Sequence, residues 1–129
     1  MHVENYVKGF RPKEEGKNLW ITMQTSKLRP ALEHLRSIGL ARISSITGTD
    51  TGKEIDVIYH FIHKNRTINI RISVDKKDCS VESITDIYPG ANLFERELSE
   101  MLGIKVKHHP NLKNLFLSSE SPVHPLRKS

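Results

Sequence analysis

The sequence predicts an α+β domain: two helices packed on a mostly antiparallel sheet that leaves room for a parallel member, followed by an extended C-terminal tail. Two periodicities predict it. Apolar residues alternate with polar ones along Ile55, Val57, Tyr59 and Phe61, and again along Ile68, Ile70, Ile72 and Val74, as half-buried strands require. They recur at i, i+4 and i+7 in Leu28, Leu32 and Leu35, and at i, i+4, i+7 and i+8 in Phe94, Leu98, Met101 and Leu102, as helices with one apolar stripe require. The order strand, helix, three strands, helix then places both helices against one sheet.

The first strand is expected at Leu19, Ile21 and Met23, which alternate with Trp20 and Thr22. The first helix follows, capped by Ser26 or starting at Pro30, since proline disfavours helical geometry at Arg29. Gly39 is placed to end it in a left-handed conformation. Residues 40–46 form a second strand, and Thr47-Gly48-Thr49-Asp50-Thr51-Gly52 carries the residues of a turn. The two strands flanking Lys64-Asn65 are expected to pair antiparallel as a hairpin. After the polar connection Asp75-Lys76-Lys77-Asp78, residues 81–87 add a short extended piece. Tyr88-Pro89-Gly90 breaks it, and Asn92 with Glu95 three residues on has the form of a capping box for the second helix, which Gly103 stops. The predicted organisation is an α+β domain over residues 1–104 and a docking tail over 105–129, with Pro110, Pro122 and Pro125 and little periodicity.

Composition narrows the function. The 129 residues, 36% hydrophobic and 27% charged, suit one compact domain with its own core. No apolar run approaches the roughly 18 residues of a membrane-spanning helix. Met1-His2-Val3-Glu4-Asn5 does not have the form of a secretory signal, so a cytoplasmic setting is expected. Cys79 is the single cysteine, which excludes an internal disulfide, a four-thiolate cluster and the usual multi-cysteine zinc site. A formal net charge of +5 permits acidic or nucleic-acid partners. Aromatic residues are few, at 6%, and no stacking motif is present, so nucleic acid is the weaker alternative. From Gly103 on, Lys105, Lys107, Lys113, Arg127 and Lys128 face one acid, Glu120, which makes the tail a docking surface.

Chemistry has little to stand on. His108, His109 and His124 lie in the tail, but adjacent histidines rarely converge on one ion and no helical i, i+4 pair supports them. His60 and His63 sit on a strand, with at least one expected at solvent or a loop end, and nothing local pairs Cys79 with a histidine. The glycines form neither a P-loop nor a dinucleotide fingerprint. Glu95, Glu97 and Glu100 lie on the second helix, where such charges are usually only solvated.

The run Thr85-Asp86-Ile87-Tyr88-Pro89-Gly90-Ala91-Asn92-Leu93-Phe94-Glu95-Arg96-Glu97, then Met101-Leu102-Gly103-Ile104, His109-Pro110-Asn111-Leu112-Lys113 and the closing His124-Pro125-Leu126-Arg127-Lys128, resembles the 30 kDa subunit family of respiratory complex I. Leu19-Trp20-Ile21-Thr22 and Ser44-Ser45-Ile46-Thr47-Gly48-Thr49-Asp50 resemble the short versions found in energy-converting, membrane-bound hydrogenases. The resemblance implies a subunit of the peripheral arm with no cofactor, metal or catalytic residue of its own. It would bind a hydrogenase-like large subunit and an iron–sulfur small subunit and reach the membrane only through them. It places Asp86, Glu95, Arg96 and Glu97 at the interface with those subunits, and His109, Pro110, Leu126 and Arg127 as anchors of the tail. The chain departs from the pattern at Ser99 and Glu100, where a bulky residue and Asp are usual, at Leu102 in place of Phe, and at Ser129 in place of Asp. Those departures favour a hydrogenase-type or divergent complex over the quinone-reducing enzyme.

Overall fold

A computed structural model describes residues 13–110. Strands β1 (Lys13–Glu15) and β2 (Asn18–Thr22) precede helix α1 (Thr25–Ser37). Strands β3 (Ile43–Asp50), β4 (Glu54–His63) and β5 (Arg66–Asp75) form a meander. Strand β6 (Ser80–Glu82), helix α2 (Ala91–Leu102) and strand β7 (Lys105–Lys107) complete the fold. The main sheet runs β1-β2-β5-β4-β3 and is mixed: β2 pairs parallel with β5, while the other neighbours are antiparallel. The crossover through α1 carries the chain from β2 to the far edge, and the meander returns it to β2. The expected hairpin is present, with Ile55 opposite Val74 and Phe61 opposite Ile68.

Alternation decides which face is buried. Leu19, Ile21, Ile55, Val57, Tyr59, Phe61, Ile68, Ile70, Ile72 and Val74 are all within 5% of full burial and meet Leu28, Ala31, Leu32 and Leu35 of α1 and Leu98 and Leu102 of α2. The opposite face is mixed, with Trp20, Ile58 and Ile62 among polar residues. There His60 bridges Asn69 Oδ1 at 2.6 Å and Thr47 Oγ1 at 2.8 Å, Asn69 reaches Asn18, and the Arg71 guanidinium lies 4.9 Å from the Trp20 ring centroid.

The structure moves several expected boundaries. The first helix begins at Thr25, behind Gln24, and runs through Pro30 instead of starting there; Leu28, buried ahead of the proline, ties the first turn to the core. Gly39 ends it as expected. At φ +114° it lets its own N–H reach Arg36 O and the Leu40 N–H reach Leu35 O, the paired bonds of a Schellman motif. The second strand lies at Ile43–Asp50, so the expected turn at 47–50 is strand. Thr47, Gly48, Thr49 and Asp50 each have a partner in β4, and the turn shrinks to residues 51–53, held by the Asp50 carboxylate on the Gly52 N–H. Charged Lys13–Glu15 gave no strand signal, yet it pairs with β2. The extended piece expected over 81–87 is strand only to Glu82. Beyond Gly103 the chain is extended through Lys105–Lys107, but paired, since β7 lies parallel to β6.

Gly48 sets the distance between α2 and β3. A Cβ there would lie 2.3 Å from Leu102 Cδ1 and 2.9 Å from Leu98 Cδ2, so the helix packs against bare backbone. Among the described residues no helix is long and apolar enough to cross a membrane.

Candidate subunit interface

The motif region is a segment, residues 83–90, held from two sides. Helix α1 clamps one side with two arginines seven residues apart. Arg29 Nη1 donates to Ser83 O at 2.7 Å, and its guanidinium grips Asp86 in a fork of 2.9 and 2.6 Å. The forked bond from Arg29 holds the Asp86 carboxyl below the usual range and raises the guanidinium in turn. Arg36 donates to Ile87 O and lies 5.7 Å from the centroid of the Tyr88 ring. Tyr88 is buried, packs its ring 5.2 Å from that of Phe61, and donates its hydroxyl to Leu40 O at 2.6 Å. Tyr88→Phe leaves that buried carbonyl unmet and is expected to lower stability by about 1–2 kcal/mol. A urea midpoint unchanged from the parent would show that water or another donor replaces the hydroxyl.

Helix α2 holds the other side through Glu95, which is fully buried. Its carboxylate accepts from the Ser83 hydroxyl at 2.8 Å and from the Ile84 N–H at 2.8 Å. Burial pushes its pKa up to about 7, although the bonds from Ile84 and Ser83 favour the charged form and Asp86 opposes it. The expected capping box is therefore absent. Gly90 is the N-cap, Asn92 lies inside the helix, and Glu95 bonds to residues 83 and 84 instead of capping its own helix. The apolar stripe is also rotated, so that Ala91, Glu95, Leu98 and Leu102 are buried while Met101 is 38% and Leu93 64% exposed.

His109 closes the cluster. Its side chain is buried, Nε2–H donates to Asn92 O at 3.1 Å, and the same nitrogen lies 3.9 Å from Glu95 Oε1. The chain after β7 is thereby pinned to the first turn of α2. Burial, with Glu95 nearby, raises the Tyr59 hydroxyl. His108, at φ +65°, faces away and meets Glu82 at 2.9 Å.

Of the residues named from the sequence, the structure brings Asp86, Glu95 and His109 into one bonded cluster around residues 83–95. Arg96 is half-buried and Glu97 exposed on the outer side of the same helix, and Pro110 is exposed. Leu126, Arg127 and His124 lie outside the described residues. The arginine clamp, Ser83 and Gly48 were missed: Arg29 and Asp86 are 57 positions apart, and nothing local joins them. Among the described residues no three His, Cys, Asp or Glu side chains stand where they could hold a metal.

The family described as "Respiratory-chain NADH dehydrogenase, 30 Kd subunit" matches residues 21–129. An NADH-quinone oxidoreductase subunit of Ruegeria pomeroyi is 37% identical over 116 residues, which is 84% of this chain and 58% of that protein. The corresponding NADH-quinone oxidoreductase subunit of Xanthobacter autotrophicus is 42% identical over 77 residues, 59% of this chain and 37% of its own length. The chain thus spans 58% of the first of these relatives and 37% of the second. Among solved structures, a membrane-bound sulfane sulfur reductase, described as an archaeal respiratory membrane complex, superposes with TM-score 0.80 at 18% identity, covering 96% of this chain and 82% of that one. The trypsin-resistant fragment of Nqo5 gives TM-score 0.73 at 23% identity, covering 83% and 92%. These two share the fold. With a match that takes in both helices and all but the first strands of the sheet, the chain belongs to the 30 kDa subunit family of the respiratory-chain NADH dehydrogenase.

Proposed function

We propose that this chain is a non-catalytic peripheral-arm subunit of a membrane-bound, complex-I-like oxidoreductase, binding and stabilising a hydrogenase-like large subunit and an iron–sulfur small subunit. The observation that carries the reading is the locked motif helix: Glu95 fixes α2 from within while Arg96 and Glu97 are left on its outer side. A helix so fixed presents a charge pattern at low entropic cost, which favours recognition of another protein surface. Asp86 and Glu95 act through the fold, the first by its fork with Arg29 and the second from inside the helix. His109 with Pro110, and Leu126 with Arg127, are the anchors of the docking tail of residues 105–129. The protein needs no cofactor of its own and sits on the inner face of the cell membrane through its partners. The departures at Ser99, Glu100 and Leu102 favour a hydrogenase-type or otherwise divergent complex over the quinone-reducing enzyme.

The test is purification of the tagged full chain from native membranes in mild detergent, with mass spectrometry and metal analysis of the eluate. A hydrogenase-like large subunit and an iron–sulfur small subunit are expected, and nickel in the eluate selects the hydrogenase branch. Arg96→Glu is expected to reduce partner recovery about tenfold while the thermal midpoint of the chain stays unchanged. Undiminished co-purification of that variant would remove Arg96 from the contact, and recovery of the chain alone would overturn the assembly reading.

A further inference from the structure

We propose that the outer edge of β3, together with the groove between β3 and α2, receives an extended segment of a partner protein as an added strand, with an apolar side chain over Leu98 and Leu102 and a basic one beside Glu97. The inference rests on the assembly reading and names a second surface for it. Strand order ends at β3, and among the described residues its backbone pairs with β4 alone. The remaining N–H and C=O groups along that edge form the row that an extended peptide pairs with.

The two edges of this sheet are treated in opposite ways. At one, β1 is three residues long, Lys13-Glu14-Glu15, all charged and exposed, which discourages further pairing. At the other, β3 is eight residues long, and from Ile43 to Thr49 it has neither a charge nor a proline, in a chain 27% charged. Its one irregularity, a register shift between Ile43 and Ser45, lies at its beginning. A long uncharged edge is an aggregation hazard unless something covers it.

Beside that edge lies a groove of about 280 Å³ lined by Ile46, Thr47, Gly48, Glu97, Leu98, Met101 and Leu102. Bare backbone at Gly48 brings the helix close enough to form it. The floor is apolar, Met101 is 38% exposed above it, and the one charged lining residue is the acid Glu97, with exposed Glu100 one turn away. Main-chain pairing supplies affinity, and the pocket with its acidic rim selects a bulky apolar and a basic side chain. A second copy of β3 fits poorly, because its uncharged stretch offers no base to Glu97.

Hydrogen exchange of the tagged full chain, free and in the complex recovered from membranes, tests this. Those amides of residues 45–49 that point away from β4 are expected to exchange at least about tenfold more slowly in the complex. Met101→Asp, at a position the fold already leaves partly open, is expected to lose about tenfold in partner retention with an unchanged melt. A complex recovered intact in which those amides exchange as in the free chain overturns the added strand and leaves the assembly reading standing. Recovery of no partner overturns both. Protection of the same amides in the isolated monomer or a dimer of it assigns the edge to this chain itself, and likewise overturns the proposal.

Discussion

Glu95→Gln is expected to lie within about 1 kcal/mol of the parent chain at pH 5 and to exceed it in stability by roughly 3 kcal/mol at pH 8. Glu95 is fully buried, and its carboxyl is raised from 4.5 to about 7, chiefly by burial. Between those two values the folded state holds a proton that the unfolded state has released. Stability therefore falls as pH rises through that window, by about 1.4 kcal/mol per unit of difference, and is flat on either side. Glutamine imitates the protonated acid: its carbonyl accepts from the Ile84 N–H, and its amide donates to Ser83 Oγ, which still reaches Thr85 at 2.9 Å. Alanine removes both bonds, leaves the buried Ile84 N–H unmet and the Ser83 hydroxyl with Thr85 alone, and opens a cavity, so Glu95→Ala is expected to cost about 3–5 kcal/mol at pH 5. The cost shrinks toward pH 8, where the parent already bears the buried charge. Urea unfolding of the three chains from pH 5 to 8 reads this directly. Parallel curves for the parent and Glu95→Gln would mean that Glu95 does not titrate in that window.

The same residue marks the limit of what the sequence discloses. Alternation along β4 and β5 and the 3.6 period of both helices are local signals, and the sheet, the hairpin and the two helices follow from them. The spacing of Asn92 and Glu95 is also local, and it suggested a cap. The carboxylate instead satisfies Ser83 and Ile84, a tertiary choice that spacing alone does not contain. Residues 47–50 show the converse error, because Thr-Gly-Thr-Asp has turn composition, but the β4 partners Ile58, Val57, Asp56 and Ile55 extend the strand through it. The parallel pairing of β2 with β5 and of β6 with β7 joins segments far apart in sequence, so no window reads it. Of the site, Asp86, Glu95 and His109 were legible as a motif, whereas their partners Arg29, Ser83 and Asn92 were legible only in three dimensions.

Gly48→Val is expected to destabilise the chain by about 3 kcal/mol or more, and Gly48→Ala by about 1–2 kcal/mol. The Cβ of either residue would fall 2.3 Å from Leu102 Cδ1 and 2.9 Å from Leu98 Cδ2, closer than packed carbons approach. Two effects oppose the clash. Loss of glycine's freedom in the unfolded chain returns up to roughly 1 kcal/mol, and valine suits a strand better than glycine does. Neither offsets the displacement of Leu102, which is 1% exposed and packed in the core, so its relief lies in turning toward the groove and exposing apolar surface there. If that contact is the cause, the damage is coupled to Leu102. The double variant Gly48→Val with Leu102→Ala should then cost less than the sum of the single changes by about 1 kcal/mol or more, because the valine fills part of the space the leucine vacates. Additive costs in urea unfolding would instead place the strain in the β3 backbone, and the close approach of α2 would no longer explain why glycine occupies this position.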